Sequence, residues 1–450
     1  MLRLFNEMGS VQEKISAAIL ARIRKRRPSP SRVDNNRGGS TLPLPPAKLR
    51  VATFSDFDAV AKLKQRSGIV ADSPENWERL WRANPALVAT AANRPIGWVL
   101  EAEGEIVGYL GNISLQCRYG DKALSAVATH GFCADPAYRA VSFSLASAFY
   151  RQKAVDFFVS SSAIEVTGKM ALAFKCAPVP QPDYDTVLFW VLRPYSFARI
   201  LMRKLDVRPA LSPLATVFVA LAVTGDRILR RRWPQRVSTA LTVSDGGSDA
   251  IGSDMEALWT DKLKEATRLY ADRASQVLRW HFEIPGDRGS VRVFRCHEDG
   301  RLKGYAILRS DIDPRDGIRR SIIADLIAKQ DDPAVVRALW VAAYEHAMSA
   351  GSDILEVQGY PSNIREVSSD WRPYRRKYPA CPYYYRGSDP ELHKALSDPA
   401  AWYACPYDGD ATLIRPSYPG PAIRLAPLAI EHPQTDGAVD LVEVQRTEAL

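Results

Sequence analysis

The stretch that most constrains this chain runs from Lys122 to Phe158 and reads KALSAVATHGFCADPAYRAVSFSLASAFYRQKAVDFF. An alternating segment predicts a strand, Asp135-Pro136 ends it, a short turn carries Tyr138-Arg139, and a helical pattern follows. A strand that feeds a helix through a short turn leaves backbone N–H groups unpaired at the positive end of the helix dipole, which suits an anion. Arg139 adds a cation there, and Ala140, Ser142 and Ser144 are small enough to admit a close ligand. The alternative is a helix start capped by Ser142 that binds nothing.

A chain of 450 residues exceeds one typical domain and predicts two or three. Its balance is basic, +9 with a sequence pI near 9.2. Much of the excess sits in RIRKRR (22–27), RILRRR (227–232) and RPYRRK (372–377). Such a surface suits an anionic ligand, a membrane face or nucleic acid, and no nucleic-acid-binding module is evident. The six cysteines (117, 133, 176, 296, 381 and 405) form no CxxC pair and do not cluster with the six histidines. That pattern gives no metal site and no disulfide framework, and predicts a reducing, cytoplasmic setting. No run reaches the roughly 20 uninterrupted apolar residues of a spanning helix, and no secretory leader is evident.

In chain order, residues 1–48 read as a basic, partly amphipathic helix over 4–26 and a flexible linker rich in Pro, Ser, Asn and Gly. From Leu49 the pattern predicts a strand, a helix capped at Ser55-Asp56 and ending near Arg66, and a helix over Glu75–Arg82. Strands follow at Gly97–Glu103 and Ile106–Leu115, joined at Gly104-Glu105, and then the Lys122–Phe158 unit. A strand over Val159–Val166, a helix over Thr167–Lys175 and a strand over Val187–Leu192 complete a first α/β domain, 49–205, with a mixed sheet. Residues 206–254 form a connection. Its helix, Ser212–Arg232, has an apolar first half and a basic second half, which suits packing between domains or a membrane surface.

The second half, 255–416, repeats the outline. HEDGRLKGY at 297–305 resembles EAEGEIVGY at 101–109, with the turn glycines 104 and 300 lying 196 residues apart. A strand (Ser321–Ile327), a helix (Ala334–Ala350) and a strand (Asp353–Gln358) then come in the same order as before, which predicts a duplicated domain. Residues 417–450 read as a disordered tail.

On these motifs the chain resembles the GNAT superfamily of acyl-CoA-dependent N-acyltransferases. Phe132 to Arg139 (FCADPAYR) is similar to the family's strand end followed by Pro-x-x-Arg, and Arg139 to Ser144 (RAVSFS) occupies its pyrophosphate loop, with Ser142 and Ser144 at the two glycine positions. The likeness covers about Leu49–Val191, with a more divergent copy over Met255–Arg386. It implies an α/β fold of two tandem GNAT-like domains, each a mixed, mostly antiparallel sheet flanked by helices. It also implies a V-shaped opening between the fourth and fifth strands for the pantetheine arm of acetyl-CoA or another acyl-CoA. Main-chain groups at Phe132 and Ala134 would pair with that arm. The amides of Arg139, Ala140, Val141, Ser142, Phe143 and Ser144 would hold the pyrophosphate. If positive φ is needed at Ser142 or Ser144, a Cβ crowds the phosphate.

The reaction needs a proton taken from the amine and one returned to the leaving thiolate. A period of two places 130, 132 and 134 on one face of the strand and Cys133 on the other. Within the resemblance His130 is the candidate base; the alternative is a hydrogen-bonded core histidine. The family's tyrosine acid falls at Phe174, so that role passes to Tyr138, to Tyr150 or to water, or the thiolate leaves unassisted, or the domain is not catalytic. In the second half Asp331-Asp332-Pro333 opposes an anion and suits a helix cap, so that copy is expected to be structural or acceptor-binding. Tyr383–Tyr385, Trp402-Tyr403 and Tyr407–Asp410 suit either an acceptor site or core packing. The expected activity is transfer of an acyl group to an amine of a small molecule, amino sugar or peptide, with membrane contact through 4–26 or 212–232. The alternatives are a non-catalytic scaffold on this fold and a tRNA-dependent aminoacyltransferase.

Overall fold

The computed structural model describes residues 44–90, 94–205, 207–235, 240–284, 289–313 and 316–413. The basic helix expected over 4–26 and the tail from 417 lie outside them. The first half runs β1 (Lys48–Val51), α1 (Phe57–Arg66), α2 (Pro74–Trp81), α3 (Pro85–Thr90), β2 (Gly97–Ala102), β3 (Glu105–Tyr119) and β4 (Lys122–Ala134). It continues with α4 (Phe143–Tyr150), β5 (Phe157–Ser160), α5 (Glu165–Ala173), β6 (Ala177–Pro178) and β7 (Thr186–Val191). The connection forms α6 (Pro194–Lys204), α7 (Ser212–Leu229) and β8 (Thr242–Gly246). The second half is α8 (Ser253–Lys262), β9 (Leu269–Ala271), α9 (Ser275–Phe282), β10 (Val291–Glu298), β11 (Arg301–Ile312) and β12 (Arg319–Ala328). Then come α10 (Pro333–Ser349), β13 (Ile354–Val357), α11 (Ser362–Glu366), β14 (Tyr374–Lys377), β15 (Tyr384–Gly387) and α12 (Pro390–Ala395).

Local chemistry sets the helix starts. Ser73 accepts from the Asn76 amide at 3.1 Å and Asp332 from the Ala334 amide at 2.8 Å, each with proline at the first helical position. Several details differ from the sequence reading. The strand expected over Val159–Val166 is Phe157–Ser160, Glu165 and Val166 open α5, helices form at Pro85–Thr90 and Pro194–Lys204, and Thr242–Gly246 of the connection pairs with β10 as a strand.

The strands form two mixed sheets flanked by helices. The first has the order β1-β2-β3-β4-β5-β15-β6, with β9 added on β3, and the second β14-β7-β13-β12-β11-β10-β8. The β2–β3 and β10–β11 hairpins match in detail. Each turns through two left-handed residues, Glu103-Gly104 (φ 49° and 81°) and Asp299-Gly300 (φ 47° and 74°). Each also shifts register at the same place, Leu100/Glu101 and Cys296/His297, again 196 residues apart.

The last strands are exchanged. β7, from the first half, lies antiparallel between β13 and β14 of the second sheet. β15, from the second half, lies antiparallel between β5 and β6 of the first. Each sheet therefore depends on the other half for an interior strand.

The exchange carries the segment Trp402–Leu413 back into the molecule, where its turn at Asp408–Asp410 packs behind β5. Gly409 has φ +125°, and a Cβ there would sit 2.3 Å from Ser161 Oγ and 2.7 Å from Ser161 Cβ. The free volume beside it is about 10 Å³, room for no more than a water. Tyr383–Tyr385, Trp402-Tyr403 and Tyr407 are all buried, so they belong to the core and line no open acceptor site.

α7 departs from the expected packing between domains. Among its described side chains only Thr216 and Ala220 are buried, while Leu214, Phe218 and Leu221 stand in solvent.

Gly409→Ala is expected to destabilise the protein by on the order of 3 kcal/mol, because neither the strained φ nor Ser161 can yield cheaply. Urea unfolding of the two proteins measures this, and an unchanged midpoint would show that the turn relaxes freely.

Candidate functional site

β4 and β5 are parallel neighbours over only three pairs, Ala126↔Phe157 to Ala128↔Val159. Beyond that β5 ends at Ser160 while β4 continues to Ala134, so the strands part and leave the expected V. Among the described residues nothing hydrogen-bonds the main chain of β4 from the β5 side between Thr129 and Ala134.

Within this free length β4 carries a bulge. Gly108↔Ala134 and Tyr109↔Cys133 are in register, but Gly111 pairs with His130. Gly131 takes φ +59°, and a Cβ there would lie 2.6 Å from Lys64 Cε. The bulge corrects the period-two reading, because one extra residue turns every later side chain over. Cys133 thus shares the His130 face, packed with Tyr109 in the large core, whereas Phe132 turns to the α4 side.

His130, 2% exposed, closes a buried ionic chain. Asp72 Oδ2 accepts from Lys64 Nζ at 2.6 Å and lies 3.1 Å from His130 Nε2. Asp72 Oδ1 accepts from Asn76 Nδ2 at 2.9 Å, and Asn76 Oδ1 accepts from Arg79, which reaches the Trp280 carbonyl of the second half. On the other side His130 Nδ1 lies 3.9 Å from Asp410 Oδ2. Asp410 in turn accepts from Ser161 Oγ (2.9 Å) and Ser162 Oγ (3.0 Å), just past β5. The network therefore bridges the two parting strands on the α1–α2 face.

Charge balance sets the protonation. Burial by itself would raise the Asp72 carboxyl, but the Lys64 ammonium and the His130 ring hold it well below the usual carboxylate range. Burial and Lys64 pull the His130 imidazole down, and Asp72 with Asp410 more than offsets them, so its pKa is raised. The Cys133 thiol is pushed up to about 12 by burial, which makes it inert as a nucleophile at neutral pH.

The turn after β4 is short and partly self-satisfied. Pro136–Tyr138 forms a 3₁₀ turn, and Arg66 clamps Asp135 with two bonds of 2.7 Å. Ser142 has φ −64° and ψ −16°, so no glycine is needed there and its Cβ strains nothing. The amides of Val141 and Ser142 bond the Tyr138 carbonyl, and that of Ser144 bonds the Val141 carbonyl. The amides of Arg139, Ala140 and Phe143 have no main-chain partner among the described residues. The turn thus leaves three amides without a main-chain partner, where the sequence reading took six consecutive ones. Arg139 is exposed and has no ion-pair partner among the described residues.

Tyr138 and His130 are not brought together. Tyr138, like Phe132 and Phe174, packs against the α4-side core, the opposite face of the sheet. Phe174 stacks between Phe143 (4.7 Å) and Tyr150 (4.9 Å), so its ring is a packing element of that face.

The second half is closed at the corresponding place. β12 and β13 pair over Arg320–Ile322 and then part. Here Tyr360 Oη donates to the Ile323 carbonyl at 3.0 Å and Tyr403 Oη to the Leu326 carbonyl at 2.7 Å. Tyr360 and Ala404 also pair through main chain at 2.7 Å, so the opening is filled by the protein itself. Behind it lies a second buried ionic group. Arg273 Nε donates to both oxygens of Asp325 at 3.0 and 3.2 Å, its Nη2 lies 3.4 Å from Asp408 Oδ1, and Tyr305 Oη donates to Asp325 at 2.9 Å. Asp331 is held by Lys262 and Arg268, which fixes the α10 start as an acidic, internally paired terminus.

The sequence reading missed Lys64, Asp72 and Asn76, and assigned Asp410 to an acceptor site or the core without pairing it with His130. Lys64 had a signal, since it falls four residues after Val60 on the buried stripe of α1. Gly131 had another, because a glycine inside a strand often marks a bulge.

No protein-family model matches the sequence, and none of the curated proteins matches it. Among solved structures the chain is similar to a GCN5-related N-acetyltransferase from Anabaena variabilis, at 10% identity and a TM-score of 0.47, covering 76% of this chain and 73% of that one. It is also similar to a GCN5-related N-acetyltransferase from Kribbella flavida, at 12% identity and a TM-score of 0.45, covering 76% of this chain and 71% of that one.

Asp72→Asn should reverse the His130 shift, because burial and Lys64 remain while the stabilising carboxylate goes. In the native protein NMR should find this imidazole titrating above about 6.5, and in the variant below it. Folding free energy should fall by about 3–5 kcal/mol through the unpaired Lys64. The sign on pH follows: a raised folded pKa contributes stability that is full below about pH 6.5 and is lost as pH rises through the folded value. An imidazole titration unchanged by the substitution would contradict the assignment.

Proposed function

We propose that the chain is an acyl-CoA-dependent N-acyltransferase that uses its first half to bind acyl-CoA and carries a closed, duplicated second half. The observation that carries this reading is the free edge of β4 beyond Ala128, with the His130–Asp72–Lys64 group on one face of the same strand. A pantetheine arm carries amide groups that pair with a free strand edge, so the main chain at Phe132 and Ala134 would hold it. Arg139 and the amides of Arg139, Ala140 and Phe143 would hold the pyrophosphate, while Val141, Ser142 and Ser144 shape the turn. Tyr138 and Phe132 would wall the α4 side.

Acyl-CoA supplies the activated acyl group when bound. The residues of this chain supply position and proton handling. His130 Nδ1 is buried, has no hydrogen-bond partner among the described residues and lies 3.9 Å from Asp410 Oδ2; it would take the proton from an amine only once the surrounding side chains open to admit it on the α1–α2 face. Asp72 fixes the ring through Nε2 and stabilises the imidazolium that forms, as a carboxylate does behind a catalytic histidine. The raised imidazole pKa makes His130 a stronger base once deprotonated and moves the acid limb of the rate upward in pH.

A second reading is favoured by Phe174, whose stacked ring has no proton to give: a binding protein on a transferase fold, without turnover.

Calorimetry with acetyl-CoA should give one site per chain. Arg139→Glu should weaken it at least about tenfold, the loss of one charge-assisted contact. His130→Gln should lower kcat on a responsive amine while leaving the KM for acyl-CoA within about twofold, and the native kcat/KM should fall on the acid side with an inflection above about 6.5. Absence of binding to acetyl-CoA and to longer acyl-CoA by the folded protein would refute the proposal. Binding with no product across an amine panel would establish the second reading.

A further inference from the structure

α6 and α7 form a helical hairpin on the outside of the second sheet. Along α7 and the residue before it, Leu211, Leu214, Phe218, Leu221 and Ile228 recur at spacings of three, four and seven, which aligns them in one stripe. The stripe is open: Leu214 and Phe218 are 74% exposed and Leu221 is 67% exposed. Tyr195 of α6 is 59% exposed. Scattered exposed apolar residues are ordinary, but a continuous stripe along a helix of 18 residues is not.

By length and composition the helix could cross a bilayer, but in this fold its C-terminal end is held against the second half. Thr216 and Ala220 are buried. Arg227 donates to the Leu192 carbonyl at 3.2 Å and to Tyr344 Oη at 2.6 Å. Asp226 accepts from Tyr374 Oη at 2.7 Å, and Arg232 stacks on the Tyr374 ring at 4.2 Å. The C-terminal end of α7 is therefore clamped to β14, and the stripe is presented sideways along about 27 Å of helix.

Charge identifies what covers it. Residues 194–232 hold eight Arg and Lys against two Asp. Arg208 lies just before the stripe and Arg231 just after it. Both are exposed, and neither has an ion-pair partner among the described residues. In a symmetric pair of these helices, antiparallel packing would set Arg231 of one copy near Arg208 of the other, and parallel packing would set like against like. Both arrangements juxtapose cations beside an apolar seam, which opposes association. An anionic bilayer complements both parts at once, with acyl chains against the stripe and headgroup phosphates at its two cationic ends.

We propose that the outer face of α7 docks the protein flat on an anionic lipid surface. The full-length protein should sediment with vesicles of phosphatidylcholine containing about one-quarter phosphatidylglycerol and remain in the supernatant with phosphatidylcholine alone. The triple variant Leu214→Asp, Phe218→Asp, Leu221→Asp should lose this, and Arg208→Glu with Arg231→Glu should reduce the partition coefficient at least about tenfold. Near-UV circular dichroism should be unchanged in both, since all five side chains are exposed. The proposal is overturned if the native protein does not sediment with the anionic vesicles, or if the triple variant sediments equally well. A dimeric mass in solution that the triple variant halves, without vesicle binding, would likewise overturn it and assign the face to a second copy.

Discussion

The turn at Asp408–Gly409–Asp410 hands one carboxylate to each of two buried basic groups. Asp408 faces Arg273, fully buried beside Asp325, and Asp410 faces His130 beside Asp72. An isolated buried charge is prohibitive, so Arg273 and His130 depend on these carboxylates being delivered at the right place. Delivery in turn depends on a backbone that passes within contact of Ser161, which only glycine at 409 permits. The strand exchange explains how a C-terminal turn reaches that position. β15 enters the first sheet next to β5, and the chain that follows runs between the two sheets.

This arrangement makes the halves unequal. In the second half the returning chain and Tyr360 occupy the carbonyls of β12 where the strands part. In the first half the equivalent edge of β4 is left free among the described residues, and the buried ionic group stops at the bulge, with Nδ1 of His130 lacking a hydrogen-bond partner among them. The same C-terminal segment thus seals one opening and equips the other. Among the described residues the parting strands of the first half leave the edge of β4 open, while those of the second half are filled by the protein itself.

Much of this plan was legible. The strand, turn and helix around Arg139 follow from alternation, Asp135-Pro136 and a helical period, and all three are local signals. The relation between the halves was visible because a left-handed two-residue turn needs glycine at a fixed place, and Gly-Tyr follows each turn at the same spacing. What escaped was non-local or geometric. Nothing in the patterns of Val187–Leu192 or Tyr384–Gly387 states which sheet they join, since a strand's composition reports burial and not its neighbour. The bulge at Gly131 inverted the faces assigned to Phe132 and Cys133, because a period of two holds only while the register does. Lys64 and Asp72 stayed hidden because their partners lie at sequence separations of about eight and 58 to 66 residues. The apolar half of α7 looked like an interior surface, and the fold instead leaves it open.

In the proposed function the cleft of the first half takes the acyl-CoA. Hydrogen exchange on the full-length protein with and without acetyl-CoA tests it most directly, because exchange reads each segment of both halves in one experiment. The account predicts slowed exchange over Phe132–Ala134 and Arg139–Phe143, with the segment Ala324–Val336 unchanged. Protection over Ala324–Val336, or no protection at either place in a protein that binds the ligand, would contradict it.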